Sequence, residues 1–269
     1  MPGQDEVMKL IIVSKKDDAS LNIFSHLLCY GYKEISEDYY KRNDAVIAVI
    51  SEDSIFADHI EKKIEKDLNI KFDSIIFASR HSSEKSIPAL TAHTPGNFGK
   101  ADYGGKDGEL CFSIPEANKK AIQKMNELST ENYTVSMEAT HHGPLTDIPS
   151  VFVEIGSSEN NWRDEKAGEI VAEAIQSLLD LKPKKRAVGI GGGHYCPKFT
   201  EVALKTDIAV GHVLPKYVEI TEVNIKKALE KNSGVDLVIM DWKGTPKRSD
   251  VKKIVEDLGY EVVKAKDLL

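Results

Sequence analysis

The sequence predicts an α/β fold, a three-layer sandwich in which helices cover both faces of a mainly parallel, mixed sheet. Three observations carry this. Apolar runs bounded by turn residues alternate with amphipathic helical patterns along almost all of the 269 residues. Several runs, such as Ala45-Val-Ile-Ala-Val-Ile50, are continuous rather than alternating, as strands covered on both faces read. A hydrophobic fraction of 41% beside a charged fraction of 29% belongs to a globular chain able to bury a large core.

Strands are expected at 9–13, 45–50, 74–78, 134–138, 151–155, 187–190, 208–210 and 237–240, each a Val/Ile-rich run closed by turn residues. Helices are expected at 19–30, 54–68, 116–128, 163–179, 223–231 and 249–258, where apolar residues recur at helical spacing. Asn161 with Asp164, and Ser249 behind a Thr-Pro turn, read as helix starts. Residues 82–114 show little periodicity and many Gly, Pro and Asn, and read as a long binding loop. Residues 207–216 read as a short hairpin or edge element. With no repeat and no linker, the expected organisation is a flexible lead-in over 1–7 and one α/β domain over 8–269, in which 235–269 forms a βαβ-like addition.

No apolar run approaches the roughly 18–20 residues of a membrane span, and the N-terminus lacks a basic-then-apolar leader. Cys29, Cys111 and Cys196 are too few and too scattered for a disulfide framework or a zinc knuckle. The expectation is a cytoplasmic monomer. A net charge of −7 disfavours non-specific nucleic-acid binding, so any such surface must be local. Two basic clusters offer one, Lys184-Lys185-Arg186 and Lys247-Arg248. Richness in Lys and Glu with only three glutamines leans toward a thermophilic source.

The histidines are unevenly placed. His81, His93, His141, His142 and His194 stand in short segments punctuated by Gly, Pro or Ser, and His212 in a similar but isolated one. Neutral imidazole is both a common metal ligand and the usual proton-transfer group near neutral pH. Three of these segments follow expected strands, which predicts convergence beyond the carboxyl ends of a sheet. In Glu138-Ala-Thr-His141-His142-Gly-Pro144, a strand-end carboxylate joins paired imidazoles, the ligand types zinc uses. Glu154 lies inside an apolar strand, where a carboxylate needs a cation, a metal or a histidine. Ser157 and Ser158 lead into a helix and read as an anion or ester-carbonyl site. Gly191, Gly192 and Gly193 permit close approach to a ligand and offer N–H groups to an oxyanion. The G-x-S-x-G elbow and the H-E-x-x-H motif are absent.

Four stretches in order, 89–97, 138–144, 153–157 and 189–195, resemble the archaeal and plant D-aminoacyl-tRNA deacylases, and the likeness covers the chain from Met8 onward. The resemblance implies hydrolysis of the ester between a D-amino acid and the tRNA 3′ end, two Zn2+ ions per subunit, and a phosphorylase- or peptidyl-tRNA-hydrolase-like core. Side-chain chemistry makes His141, His142, Glu154 and His194 the expected metal ligands, and His93, His142, His194 and Glu138 the expected catalytic residues. Arg80, His81, Ser157, Ser158 and Gly191–Gly193 meet the substrate, and Lys184, Lys185, Arg186, Lys247 and Arg248 hold the tRNA. The alternatives are a nucleoside phosphorylase or nucleosidase on a similar core, a peptidyl-tRNA-type hydrolase, and a non-catalytic RNA-binding module.

Overall fold

Twelve strands among the described residues divide between two sheets where the sequence reading had one. The computed structural model describes residues 7–129 and 131–269, so residues 1–6 of the lead-in expected over 1–7 lie outside the described residues. Val7, expected to end the lead-in, is the first residue of β1 (Val7–Ser14).

The first sheet has the order β2-β3-β4-β1-β5-β8-β6-β7. β4 (Ala45–Ile50), β1, β5 (Lys71–Arg80) and β8 (Ser150–Gly156) run parallel. β2 (Lys33–Ser36) and β3 (Tyr39–Arg42) add an antiparallel edge. At the other edge β6 (Ala89–His93) runs antiparallel to β8, and β7 (Thr134–Met137) runs parallel to β6. The strands of the centre are buried on both faces, which is why they read as unbroken Val/Ile runs. The second sheet is wholly parallel, in the order β10-β9-β11-β12. It consists of β9 (Lys185–Ile190), β10 (Ile208–Leu214), β11 (Leu237–Met240) and β12 (Val262–Lys264).

Helices cover these faces. α1 (Asp18–Leu28), α3 (Pro115–Leu128) and α5 (Glu165–Ser177) pack on one face of the first sheet through Ile23, Ile122 and Ile175. α2 (Ile60–Leu68) packs on the other through Ile60 and Ile64, against Leu10, Phe77 and Phe152. α6 (Pro197–Lys205) joins the first core through Phe199 and Val202. α7 (Glu222–Glu230) and α8 (Arg248–Asp257) close the far face of the second sheet over Val188, Ile190 and Met240. The architecture is the expected α/β fold with mixed, mainly parallel sheets. The C-terminal βαβ unit, β11-α8-β12, extends the second sheet.

Several local expectations change. The helix at 54–68 starts only at Ile60, because His59 adopts a left-handed backbone with φ 53°. α5 starts at Glu165 behind Asp164, whose carboxylate accepts from the N–H groups of Lys166 and Ala167. α8 begins at Arg248, so Ser249 lies inside its first turn. Segment 207–216 is no hairpin; its strand β10 forms the parallel edge of the second sheet. The long segment 82–114 contains β6, a buried strand that the surrounding Gly and Pro residues mask. No helix among the described residues is long and apolar enough to cross a membrane.

Candidate active site

The site grows from the antiparallel pairing of β6 and β8. Thr91 faces Glu154 and His93 faces Phe152, so these four side chains share one surface of the first sheet. The Thr91 hydroxyl donates to Glu154 Oε2 at 2.9 Å. His93 lies flat on Phe152, with ring centroids 5.3 Å apart and an interplanar angle of 11°. His81 extends from the end of β5, and Glu138 follows β7. Glu138 is bridged to Tyr195, beside His194 in the loop after β9, so the second sheet delivers His194 to the first. His141 and His142 arrive on the loop after β7, which bridges to Pro95.

The five imidazoles thus converge, but not on one carboxyl edge. β6 and β7 run opposite to β5 and β8, so their ends point away from the end of β5. Convergence occurs on a sheet face at the junction of the two sheets. Ring centroids are 4.2 Å apart for His93 and His141, 4.3 Å for His141 and His142, and 4.5 Å for His141 and His194. Glu138 Oε1 is 3.1 Å from His81 Nδ1, and its Oε2 is 3.7 Å from Nε2 of both His141 and His194. Glu154 Oε2 is 3.8 Å from His93 Nε2 and 3.9 Å from His81 Nδ1. His81 is oriented from its other side by the Tyr195 hydroxyl, 2.7 Å from Nε2.

Burial dominates the electrostatics. It pushes His93 and His142 down to about 4, and His141 well below the ordinary imidazole value, so all three are neutral at pH 7. His194 also falls to about 4, chiefly through burial and then the neighbouring His93. The carboxyls of Glu138 and Glu154 are both raised by burial, Glu138 further by the charge of Glu154. Both ring nitrogens of His93 and both oxygens of Glu138 are buried without an aligned hydrogen bond. Orphaned donors and acceptors of this kind are costly in an apolar interior, and a divalent cation satisfies neutral imidazole nitrogens and carboxylate oxygens together. Three overlapping sets have ligand atoms within 4.8 Å of one another: His93, His141 and His142; His81, Glu138 and His194; and His93, Glu138 and Glu154. The residues fit a metal centre, and its donors are those zinc takes.

Above this floor is an open cavity of about 870 Å³ that also exposes Ser79, Arg80, Asn97, Phe98, Lys100, Tyr103 and Tyr217. Arg80 lines it, held by Asp53 and close to Asp17. Two expected groups are placed otherwise. Ser157 donates to the Ile87 carbonyl and Ser158 to Asn161 Oδ1, and the helix they precede, α4 (Glu159–Trp162), is only four residues long. These serines shape a turn beside the site instead of presenting an anion pocket. The N–H of Gly191 donates to Leu214 and that of Gly192 to Gly244, which leaves Gly193 alone of the three with an unused amide among the described residues. The glycines are needed because Gly191 and Gly192 have φ of 98° and 84°.

The basic clusters separate. Lys184 and Arg186 sit at the start of β9, the opposite end from the Gly191 loop, and are neutralised by Asp207 and Glu116. Lys185 is exposed beside them. Lys247 and Arg248 lie at the start of α8, on the loop from Asp241 that packs against Gly191 and Gly192, with the Arg248 guanidinium over the Trp242 ring. Thr91, Phe152, Tyr195 and Tyr217 were not read as site residues. Thr91 carried a signal, standing two residues before His93 and hence on the same strand face.

Fold and site define an α/β protein with a buried histidine–carboxylate centre under an open cavity, an arrangement suited to hydrolysis. A family model described as D-aminoacyl-tRNA deacylase matches residues 68–263. A D-aminoacyl-tRNA deacylase of Pyrococcus abyssi is 44% identical, over 96% of this chain and 100% of that protein. That of Archaeoglobus fulgidus is 38% identical, over 96% of this chain and 97% of that protein. A crystal structure of a conserved protein of unknown function superposes with a TM-score of 0.88 at 36% identity, covering 97% of this chain and 96% of the other. The chain belongs to the D-aminoacyl-tRNA deacylase family.

Proposed function

We propose that this protein hydrolyses the ester joining a D-amino acid to the 3′ end of tRNA, with zinc bound by the buried cluster, in the cytoplasm. The observation that carries the reading is the set of buried His93 and Glu138 atoms without an aligned hydrogen bond, among four further imidazoles and Glu154. His93, His141 and His142 would hold one ion, and His81, Glu138 and His194 a second, with Glu154 reaching toward both sets. Bound zinc supplies a Lewis acid for the ester carbonyl and an acidified water.

The residues divide the remaining work. Glu154 lines the cavity and keeps its orientation through Thr91. Facing both sets of proposed ligands, its carboxylate stands where it can take the proton from the attacking water. The reaction adds water across the ester: hydroxyl goes to the carbonyl carbon, and the proton passes to the 3′-oxygen as the C–O bond breaks. His194 is the most open of the five imidazoles, its side chain 37% exposed, and its Nδ1 is 3.4 Å from the Tyr217 hydroxyl. This pair lines the cavity and is the candidate to meet the leaving 3′-oxygen. Tyr195 and Glu138 orient His81 from opposite sides.

The test is deacylation of D-Tyr-tRNA and L-Tyr-tRNA by the protein and by Glu154→Gln and His142→Ala. The expected result is release of D-tyrosine alone, with each variant slowed at least about 100-fold, as for loss of a general base. Equal action on both isomers, or full activity in both variants, overturns the reading.

A further inference from the structure

Exposed aromatic rings are distributed with a strong bias. Among the described residues four Phe or Tyr side chains are exposed: Phe56, Tyr103, Tyr195 and Tyr217. Tyr103 and Tyr217 line the cavity, Tyr195 touches His81 on its floor, and Phe56 follows Ile55 on its wall. Tyr103 is 69% exposed and Tyr217 56%, so neither serves the core. Solvating such rings is unfavourable, and their grouping at one opening marks a surface that something flat and apolar covers.

The backbone that carries the Tyr103 ring is held in place. Its carbonyl accepts from the N–H of Gly143, next to His142, at 2.9 Å. The following Gly104 has a φ of 76° and a carbonyl bonded by Asn97 Nδ2 at 2.9 Å. A Cβ on Gly104 would lie 1.7 Å from the Ile55 carbonyl oxygen, so this turn has one packing. The loop is a fixed platform carrying an exposed ring.

Two exposed lysines stand at the rim. Lys100 lines the opening, and Lys216 precedes Tyr217 with its N–H on the Gly192 carbonyl. Both are exposed and neither has an ion-pair partner among the described residues, whereas Lys184 and Arg186 are neutralised. Of the rim carboxylates Asp53 is taken by Arg80, and Asp102 is the remaining one. Unpaired cations beside exposed rings are the recognition chemistry of single-stranded nucleic acid. The size of the opening agrees. About 870 Å³ lies in the range of small-ligand sites and admits one nucleotide with its aminoacyl group, not a duplex.

We infer that the rim of this cavity binds the single-stranded 3′ end of the tRNA, with Tyr103 and Tyr217 stacking on bases and Lys100 and Lys216 meeting phosphates. The inference rests on the deacylase reading and locates the macromolecular part of its substrate. The terminal nucleoside enters the cavity with its ester over the histidine floor, and the preceding nucleotides lie on the Tyr103 loop. The acceptor duplex stays outside.

The experiment compares D-Tyr-tRNA with D-tyrosyl-adenosine, which carries the ester and terminal nucleoside but none of the preceding nucleotides. Tyr103→Ala is expected to raise KM for D-Tyr-tRNA roughly 5- to 150-fold, the range for one stacked base, with kcat little changed. Tyr103→Phe, which keeps the ring, stays near the wild-type value. Hydrolysis of D-tyrosyl-adenosine is unchanged in both. Lys100→Ala and Lys216→Ala each reduce the slope of log KM against log salt by about 0.7, as for one single-strand phosphate contact. An unaltered KM for D-Tyr-tRNA in Tyr103→Ala and in the Lys100→Ala, Lys216→Ala double variant overturns the inference and leaves the deacylase reading standing. A wild-type protein that hydrolyses neither substrate removes both.

Discussion

Replacing His93 by Leu should stabilise the metal-free protein while weakening its response to zinc. His93 is fully buried, stacked on Phe152, and neither ring nitrogen has a hydrogen bond. A neutral imidazole holds one donor and one acceptor, and leaving both unpaired costs about 1–3 kcal/mol each. Leucine removes both penalties and keeps most of the volume, at a repacking cost of about 1–2 kcal/mol for the change of shape. The net expectation is a gain of up to about 5 kcal/mol, with a rise in Tm of roughly 2 °C for each kcal/mol gained in a chain of this size. With zinc the balance moves back toward the wild-type protein, which gains RT ln(1 + [L]/Kd), about 4 kcal/mol at a thousandfold excess over Kd, while the variant loses a ligand. Thermal melts at pH 7.5, in chelator and in excess Zn2+, measure both effects. A variant less stable than wild type in chelator would mean that the nitrogens of His93 have partners. A variant with an undiminished zinc-induced shift would remove it from the ligand set.

Other perturbations follow from the same geometry. His212 is buried on β10 between the Thr140 hydroxyl and the Cys111 carbonyl, and burial lowers it from 6.5 to about 4. The unfolded chain therefore binds more protons between those values. Stability is complete above pH 6.5 and falls as pH drops to about 4, by roughly 3 kcal/mol from this residue alone. Denaturant titrations across that window should show a flatter acid limb for His212→Asn; an unchanged limb would contradict the assignment. Gly143→Ala places a Cβ 2.2 Å from the Gly105 nitrogen and 2.6 Å from the Ile55 carbonyl oxygen. The loop carrying His141 and His142 must then shift, and kcat should fall at least about tenfold; wild-type kcat would show that the loop is not held here. Lys184→Ala with Lys185→Ala should leave KM for D-Tyr-tRNA and its salt dependence unchanged, since both lie at the start of β9, and a raised KM would return the tRNA to that end.

Much of the fold was legible because its central strands are buried on both faces and its helices are amphipathic. The runs at 45–50 and 151–155 became β4 and β8, and the pattern at 116–128 became α3. β6 was hidden because its five residues, Ala89-Leu-Thr-Ala-His93, contain two alanines, a threonine and a histidine, no β-branched run, and Pro on either side. Missing it concealed the reversal of direction at β8, so a shared strand end was expected where a shared face exists. The split into two sheets is a long-range matter. Nothing local in β9 says that it pairs with β10 and β11 and not with β8.

Residue chemistry carried the site further than topology did. His81, His93, Glu138, His141, His142, Glu154 and His194 were singled out as histidines in punctuated loops and carboxylates beside or within apolar strands, and the structure brings them together. Ser157 and Ser158 misled because hydroxyls before a helix read alike whether they cap a turn or face a ligand. Lys184 and Arg186 read as free cations because their partners, Asp207 and Glu116, are remote in sequence.

The central claim is that the buried histidine–carboxylate cluster holds the ion on which deacylation depends. The direct measurement is a titration of metal-stripped protein with Zn2+, following release of D-tyrosine from D-Tyr-tRNA and counting bound metal. The account predicts negligible activity at zero metal, recovery that saturates with bound zinc, and, in His141→Ala, loss of activity with fewer bound ions than in the wild-type protein. Full activity in stripped protein, or undiminished zinc binding in that variant, would contradict it.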